Sequence, residues 1–227
     1  AQTFSMGNGE KFSVVVNHFK SKSSCPSDGS DVNADQGDAQ GCWNALRLQQ
    51  ARRLRSFVAG LQASSGDGDV LLIGDFNAYG KEDPIVDLTD NGFVNQVARY
   101  NDFGYSYVFD GEAGYLDHAL ATASLSAQIS GTVEWHINTD EPSVIDYNTE
   151  YKTQDLYAAT PYRSSDHDPV VVGLELLHAV TGTSGRDTLL GTSGDDAITG
   201  GLGADTLSGA TGKDRFVYTS VLDGIDT

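Results

Sequence analysis

Apolar runs of strand length, bounded by polar residues, recur through the first three-quarters of the chain. Helical patterns separate several of these runs, so that strands and helices interleave along the sequence. This order predicts an α/β fold built on a mixed sheet. We expect strands at residues 10–17, 70–74, 105–109, 115–121, 132–137 and 170–177.

Two segments between the predicted strands have the pattern of helices. A shorter one is predicted from Asp83, because Pro84 suits an early helical position. A longer one is predicted after Asn44, a candidate N-cap, and its polar face carries four arginines that we expect to be solvated: Arg47, Arg52, Arg53 and Arg55. Its apolar stripe consists of Leu48, Ala51, Leu54, Val58 and Leu61.

Four polar clusters lie at the ends of predicted buried strands. Acidic, amide and imidazole groups at strand ends can meet on one rim of a sheet. Such a rim has the chemistry that metal-assisted attack on a phosphate ester requires. The clusters are Asn-His-Phe at 17–19, Gly-Asp-Phe-Asn at 74–77, Leu-Asp-His at 116–118 and Ser-Ser-Asp-His-Asp-Pro at 164–169.

A repeat with a period of nine residues begins at Gly182 and runs through four copies. Each copy has glycine at positions 1 and 4, aspartate at position 6 and an apolar residue at position 8. Glycine permits tight turns, the apolar residue supplies a thin core, and aspartate suits a hard cation. A flexible linker would not keep the apolar residues in phase. The aspartates are Asp187, Asp196, Asp205 and Asp214.

The chain is strongly acidic, with a formal net charge of −18 over 227 residues. That charge repels nucleic acid at long range, so it predicts weak non-specific binding and a dependence on metal ions. It does not exclude a nuclease, because divalent ions and local arginines can supply the contact. The sequence has no apolar run long enough to cross a membrane, and no protein partner is evident from it.

The two cysteines, Cys25 and Cys42, bracket a loop rich in Asp, Ser and Gly. They form either a disulfide that clamps this loop or two unpaired thiols. The disulfide is favoured, since no other cysteine competes and the repeats downstream are typical of secreted proteins. A metal site is disfavoured, because the loop contains no histidine and no third cysteine.

In this order, the motifs resemble the endonuclease/exonuclease/phosphatase superfamily, which has the DNase-I-like fold. They are most similar to bacterial extracellular nucleases that carry RTX tails. The resemblance implies that residues 1–178 are the C-terminal half of a four-layer α/β sandwich. It rests on VVVNHFKSK, the cysteine-flanked loop, LLIGDFNAYGKEDPI, YSYVFDGEAGYLDHALA and YRSSDHDPVVV.

The resemblance implies roles for residues that would handle the metal and the attacking water. Asp75 would orient or deprotonate the water and contact a catalytic divalent ion, Mg²⁺ or Mn²⁺. Asp166 would be a ligand of the same ion. Asn77 would hold the water or a phosphate oxygen.

Roles for histidines follow from the same resemblance. His18 would contact the scissile phosphate, and His167 would stabilise charge in the transition state. Asp117 would accept a hydrogen bond from His167 and keep that imidazole cationic. We expect His118 and Asp168 to be structural. Each directly follows a site residue, so in a strand its side chain would lie on the opposite face.

The repeats resemble the RTX calcium-binding repeat, which implies a parallel β-roll over residues 179–227. In that family, turns on the same edge of the roll sandwich calcium. By resemblance, Asp187 would share an ion with Asp205, and Asp196 with Asp214. RTX tails accompany export from Gram-negative bacteria, so we expect the protein to be extracellular.

The superfamily's N-terminal half supplies a strand ending in Asn and a metal-binding Glu, and the chain begins after that region. No initiator Met or signal peptide is visible, and we expect both ends to be cut. We therefore expect residues 1–227 alone to be inactive or nearly so, with an apolar sheet face exposed.

Three functions remain in competition. The leading hypothesis is a metal-dependent extracellular nuclease that hydrolyses the phosphodiester bonds of DNA, with RNA as another substrate. The alternative is a secreted sphingomyelinase-like or other phosphodiesterase, disfavoured because no membrane-binding segment is evident. The third is a non-catalytic, calcium-dependent binding module, which the intact set of candidate catalytic residues argues against.

Overall fold

The computed structural model describes residues 1–145, 160–220, 223 and 226–227. It has four α-helices in this part of the chain: α1 (Asn44–Ser65), α2 (Asp83–Asp90), α3 (Gln96–Tyr100) and α4 (Ala123–Ser126), with a 3₁₀ segment at Ser143–Ile145. The strands are β1 (Gln2–Ser5), β2 (Lys11–His18), β3 (Val70–Asp75), β4 (Phe93–Asn95), β5 (Tyr107–Phe109), β6 (Glu112–Gly114), β7 (Asp117–Thr122), β8 (Ile129–Glu134), β9 (Val170–Leu174), β10 (His178–Thr181), β11 (Thr188–Leu190), β12 (Asp196–Thr199), β13 (Thr206–Ser208) and β14 (Arg215–Phe216).

The chain divides into two compact units. The first contains Ala1–Gln2 and Ser13–Gly173, and the second contains Thr3–Phe12 and Leu174–Thr227. The fold class predicted from the sequence is confirmed: a mixed α/β region is followed by strands that repeat in parallel.

The main sheet has the strand order β1-β2-β3-β7-β4. Strand β3 pairs in parallel with β2 and antiparallel with β7, so the sheet is mixed, as the interleaved pattern predicted. The register places His18 opposite Asp75 across β2 and β3, and Asp75 opposite Asp117 across β3 and β7. Polar residues that are far apart in sequence therefore meet at one end of the sheet.

One face of the sheet packs against α1 and α2. Its buried core joins Val58 of α1 and Leu88 of α2 to Leu72 and Leu120 of the sheet. Removing such side chains from water is the main favourable contribution to folding. On the other face Val16, in the middle of β2, is 73% exposed.

Two predictions about α1 are wrong. The side chain of Asn44 does not cap the helix; it donates to Asp83 Oδ2 at 2.7 Å. Instead Asn33, from the preceding loop, accepts a hydrogen bond from the Leu46 amide at 3.0 Å. Arg47, predicted on the solvated face, is fully buried. Its guanidinium donates to the carbonyls of Cys42, Gln40 and Lys20 at 2.8, 3.0 and 3.3 Å, because the loop before the helix folds over it.

Other boundaries shift by a few residues. The strand predicted at 132–137 is β8, which lies at Ile129–Glu134, and the strand predicted at 170–177 ends at Leu174. Strands β1, β4 and β6 were not predicted, since each is only three or four residues long. The disulfide between Cys25 and Cys42 is confirmed, with Cα atoms 5.5 Å apart.

The second unit contains the repeats as two sets of parallel strands, β10-β12-β14 and β11-β13. Pairing residues are 18 positions apart, as His178 with Asp196, so every second copy stacks. Ile198 is fully buried among them, whereas Phe216 is 43% exposed. The period of nine thus produces a roll in which one turn takes two copies.

Among the described residues, the structure contains no helix with the length and hydrophobicity that a membrane span requires.

Candidate functional site

Asp75, Asp117 and His167 bring one potential ligand atom each within 4.8 Å of one another. Asp75 is the last residue of β3 and Asp117 is the first of β7, so the antiparallel register places them side by side. His167 lies in the loop before β9. The three groups are half-buried, and they form the rim that the strand-end clusters predicted.

The imidazole of His167 is paired with the carboxylate of Asp117. Its Nδ1 atom lies 2.6 Å from Asp117 Oδ2, and the hydroxyl of Ser106 donates to the same oxygen at 2.7 Å. The amides of Leu116 and Asp117 donate to the Ser106 oxygen at 3.3 and 3.2 Å. The ring of Tyr107 stacks on His167 at 4.5 Å. The carboxylate and the imidazole are therefore held from several sides.

Sequence reasoning missed Ser106 and Tyr107. Both lie in the YSYVFD segment, which carried the resemblance as a whole without indicating either residue. Ser106 is fully buried, and its carbonyl accepts the Asp168 amide at 2.8 Å, next to His167. The feature that marks Ser106 is its complete burial, and only the structure reveals it.

The pKa of His167 is raised by its surroundings. Burial is the largest influence and lowers the pKa. The hydrogen bond and charge of Asp117, with the charges of Asp75 and Asp166, outweigh burial. The net direction favours the imidazolium, which matches the cationic role predicted for this histidine.

Asn77 fixes the carboxylate of Asp75. Its backbone amide donates to Asp75 Oδ1 at 2.7 Å, and its side-chain amide donates to Oδ2 at 2.9 Å and to the carbonyl of Phe19 at 3.1 Å. Asn77 has a φ of 48°, a left-handed conformation that asparagine tolerates better than most residues. The turn after β3 thus folds Asn77 back onto the strand end.

The pKa of Asp75 is raised, chiefly by burial. The hydrogen bond from the Asn77 amide opposes this shift, the negative charge of Asp117 adds to it, and the histidines 167 and 18 oppose it. The Nε2 atom of His18 lies 3.5 Å from Asp75 Oδ2, and its side chain is 77% exposed. Asp75 is consequently a stronger base than an exposed aspartate, and the exposed side chain of His18 lies beside it.

A cavity of about 450 Å³ opens at this rim. His167 and Asn77 line it together with Tyr79, Phe109 and Lys22. The ammonium group of Lys22 lies 4.7 Å from the centre of the Tyr79 ring and pairs with Glu82. A larger cavity of about 550 Å³ beside α1 contains none of the predicted site residues. The smaller one is lined by two of the predicted site residues, His167 and Asn77.

The comparison with protein families agrees with this geometry. The model of the Endonuclease/Exonuclease/phosphatase family matches residues 6–167, which is more than half of the chain. The chain belongs to the endonuclease/exonuclease/phosphatase family. A second match covers residues 181–216 with four copies of the RTX calcium-binding nonapeptide repeat. No curated protein matches the chain at a significant level.

Asp166, like His18, is a predicted site residue of this endonuclease/exonuclease/phosphatase domain that lies outside the convergent group. Its charge raises the pKa of His167, but among the described residues the convergent group contains Asp75, Asp117 and His167 without it. Its role as a metal ligand stays a prediction.

Two neighbours of the site in this endonuclease/exonuclease/phosphatase domain are structural. His118 is fully buried, its Nε2 lies 2.8 Å from the Ala78 carbonyl, and burial lowers its pKa to about 4. Asp168 is buried as well; its carboxylate accepts the amides of residues 137–139 and lies 2.8 Å from His136 Nδ1. Neither side chain belongs to the convergent group.

In the RTX repeats, the position-6 aspartates fold the turns. Asp187 Oδ2 accepts the Thr183 amide at 2.7 Å, and Asp196 Oδ2 accepts the Thr192 amide at 2.8 Å. Oδ1 of Asp205, two copies away, accepts a hydrogen bond from the Asp187 amide at 2.8 Å. The predicted partners Asp187 and Asp205 therefore lie on successive turns of one edge. Asp196 and Asp214 do so likewise, since the Asp196 amide donates to Asp214 Oδ1 at 3.2 Å.

Proposed function

We propose that this protein is a secreted, metal-dependent nuclease that hydrolyses the phosphodiester bonds of DNA, and of RNA as a second substrate. The observation that carries the proposal is the convergence of Asp75, Asp117 and His167 beside a cavity that Asn77 also lines. A base, a cation and hard oxygen ligands are the groups that such a reaction requires.

The donor set fits a hard divalent ion. Asp75 and Asp117 present carboxylate oxygens on one rim, and Asp166 adds a carboxylate whose charge reaches His167. Mg²⁺ and Mn²⁺ prefer such oxygens. We assign Asp166 and Asp75 to the ion, which would supply Lewis-acid stabilisation of negative charge on the phosphate. The His167 nitrogen that faces Asp117 is already paired, so the imidazole is not a ligand through that atom.

Asp75 acts as the general base. Burial raises the pKa of this carboxyl, so its anion takes a proton from water more readily than an exposed aspartate does. Asn77 holds both carboxylate oxygens, which fixes the direction from which the water is deprotonated. The attacking oxygen and its acceptor are thus oriented before substrate arrives.

His167 stabilises the charge that develops on the phosphate. Asp117 keeps its imidazole protonated through Nδ1 and leaves Nε2 to donate a hydrogen bond to a phosphate oxygen. His18, exposed beside Asp75, supplies a second contact to the phosphate. The electrostatic attraction between a positively charged donor and a phosphate oxygen is stronger at a half-buried rim than in open water.

The lining of the cavity supports a nucleic acid as substrate. Tyr79 and Phe109 present aromatic rings, and Phe109 is 60% exposed. Bases stack on such rings with little dependence on sequence. The ammonium group of Lys22 also lies at this cavity, where a backbone phosphate of the substrate would compete with Glu82 for it.

Features outside the site support secretion. The disulfide between Cys25 and Cys42 persists in oxidising environments, and calcium that the RTX repeats bind is plentiful outside cells. We propose that the repeats fold after export from a Gram-negative cell. Their calcium ions would lie between Asp187 and Asp205 and between Asp196 and Asp214.

The test is substrate hydrolysis by the longest gene product that contains residues 1–227, assayed beside residues 1–227 alone, which we expect to be inactive or nearly so. We expect plasmid nicking with Mg²⁺ that EDTA abolishes and that Asp166→Asn reduces at least tenfold. Asp102→Asn, an exposed site outside the rim, is the matched control and should not change the rate. Release of phosphocholine from sphingomyelin without nicking would replace the nuclease by a lipid phosphodiesterase. If the protein has neither activity, a calcium-dependent binding module is indicated.

A further inference from the structure

The segment that carries His167 is neither helix nor strand. Residues 160–167 form turns and bends, and the next regular element is β9, which begins at Val170. The backbone of such a segment lacks the ladder of hydrogen bonds that positions a strand. Its position therefore depends on contacts from other parts of the fold, and the side chain of Asn138 makes three of them.

The side-chain amide of Asn138 bridges the two ends of the segment from Ser164 to His167. Its Oδ1 atom accepts the backbone amide of Ser164 at 2.9 Å and the hydroxyl of the same serine at 3.2 Å. Its Nδ2 atom donates to the carbonyl of His167 at 2.7 Å. A backbone amide only donates and a carbonyl only accepts, so these partners fix which way the side-chain amide is turned. One planar group thus sets the spacing between the backbones of Ser164 and His167.

Asn138 is itself buried and fixed by its neighbours. Its backbone amide donates to Oδ1 of Asp168 at 2.8 Å, and the amides of residues 137 and 139 donate to the same oxygen at 3.1 and 3.0 Å. The guanidinium of Arg163 donates to the carbonyl of Asn138 at 3.1 Å. The turn after β8 therefore closes around a buried carboxylate, and the side chain of Asn138 reaches the His167 segment from a fixed backbone.

The imidazole of His167 needs a fixed backbone because its main contact is short and directional. Its Nδ1 atom lies 2.6 Å from Asp117 Oδ2, and hydrogen bonds weaken steeply as their geometry departs from the preferred range. Ser106 holds that carboxylate through its hydroxyl, and its carbonyl accepts the Asp168 amide at 2.8 Å. Ser106 thus ties Asp117 to the backbone after His167, while Asn138 ties the backbone at and before it.

We propose that Asn138 is a positioning residue of the hydrolysis, which orients His167 by holding the backbone of residues 164–167. The role rests on the function proposed above, since this orientation matters to catalysis only if His167 stabilises charge on the phosphate. A displacement of about 1 Å at a catalytic group can cost on the order of 100-fold in rate. Because Asn138 acts through His167, turnover should depend on it much more than substrate binding does.

The kinetic test compares Asn138→Ala with Asn95→Ala in DNA cleavage with Mg²⁺, using the longest gene product that contains residues 1–227. Asn95 is the matched control, because its side chain also accepts from a backbone amide, that of Ala98, and donates to the hydroxyl of Tyr115. Asn138→Ala should lower kcat by about tenfold or more and leave KM within about threefold. Asn95→Ala should leave both constants within about twofold. An unaltered kcat in a folded Asn138→Ala protein overturns the proposal, and so does an equal loss in the two variants.

The spectroscopic test does not depend on activity. A histidine proton in a short hydrogen bond to a carboxylate resonates far downfield in proton NMR. In mildly acidic buffer, the chain of 227 residues should show this signal for His167 Nδ1, assigned by its absence in His167→Ala. Asn138→Ala should broaden or lose the signal, and Asn95→Ala should keep it. A signal that is unchanged in Asn138→Ala overturns the proposal.

The two measurements separate this inference from the function on which it rests. An unaltered gene product without nuclease activity overturns the proposed function, whereas the NMR signal still decides whether Asn138 orients the imidazole.

A second substitution covers the case in which Asn138→Ala does not fold, detected as loss of the near-ultraviolet circular dichroism. Asn138→Asp keeps the shape of the side chain and the oxygen that accepts from Ser164, and it removes the donor to the His167 carbonyl. It should also lower kcat at neutral pH by about tenfold. A folded Asn138→Asp protein that cleaves at the unaltered rate would contradict the positioning role.

Discussion

One oxygen of Asp117 receives two hydrogen bonds: His167 Nδ1 lies 2.6 Å from Oδ2, and the Ser106 hydroxyl lies 2.7 Å from it. Ser106 is buried, and its oxygen accepts hydrogen bonds from the backbone amides of Leu116 and Asp117, at the start of β7. The charge state of His167 is therefore set by a carboxylate that cannot readily turn away. This relationship makes the pH dependence of the site predictable in sign.

Asp117→Asn should move the alkaline limb of the activity profile to lower pH. The pKa of His167 is raised in the folded protein, so the imidazolium is present at low pH and is lost as pH rises through that pKa. Removing the charge of Asp117 lowers the pKa and leaves burial to dominate. We expect a rate loss on the order of 100-fold at neutral pH, as for loss of an acid–base partner.

The measurement is the pH dependence of cleavage, with the His167 pKa followed by NMR. The acid limb depends on Asp75, whose pKa burial raises, and activity increases as pH rises through it. That limb should also move to lower pH in Asp117→Asn, because the charge of Asp117 contributes to the raised pKa of Asp75. A His167 pKa that stays at its original value in this variant would contradict the account.

Asn77→Gly and Asn77→Ala should differ in stability but not in activity. Both remove the amide that holds Asp75 and contacts the Phe19 carbonyl, so both should slow hydrolysis equally. The φ of 48° suits glycine, whereas alanine there should lower the free energy of unfolding by about 1 kcal/mol more. Urea denaturation of the pair measures the difference. Equal stability would show that the turn is not held in this conformation.

Arg47→Met should destabilise the first unit by about 3 kcal/mol or more, because it leaves buried carbonyls without a donor. The carbonyls are those of Lys20, Gln40 and Cys42. Arg53→Met, on the exposed face of the same helix, is the matched control and should change stability by less than about 0.5 kcal/mol. Similar free energies of unfolding for the two variants would contradict the structural role of Arg47.

Ile198→Ala should weaken the roll much more than Leu190→Ala. Ile198 is fully buried among the repeats, and Leu190 is 68% exposed. Deleting a buried isoleucine side chain costs about 2–5 kcal/mol, while an exposed one costs less than about 0.5 kcal/mol. Thermal unfolding of the tail in excess calcium, followed by circular dichroism, gives the comparison. Equal shifts would mean that position 8 does not form the core.

Much of the site could be predicted from the sequence, because apolar runs locate the strands and polar residues mark their ends. Asp75 and Asp117 follow or begin such runs, and the pairing of β3 with β7 then places them together. The resemblance to the RTX repeat likewise predicted that copies two apart stack, as His178 does with Asp196. These features depend on local pattern, which a sequence displays directly.

The rest depended on contacts between distant segments. Arg47 has the spacing of a solvated residue, yet a loop up to 27 residues away in sequence folds over it. Ser106 carries no pattern that marks it as the residue fixing Asp117. The Asp205 amide donates to Asp226 Oδ1, which is 21 residues away rather than the 18 that the stacking of the repeats predicts. Side-chain partners of this kind are set by the fold rather than by neighbours in sequence.

The most direct test of the catalytic centre compares His167→Ala with His178→Ala in metal-supported plasmid cleavage, using the longest gene product that contains the chain. His178 belongs to the second unit and pairs with Glu10 at 2.9 Å, so it controls for loss of an imidazole. We predict a rate loss of at least about 100-fold for His167→Ala. His178→Ala should stay within about twofold of the unaltered protein. A His167→Ala protein that remains folded and cleaves at the unaltered rate would contradict the assignment of Asp75, Asp117 and His167 as the catalytic centre.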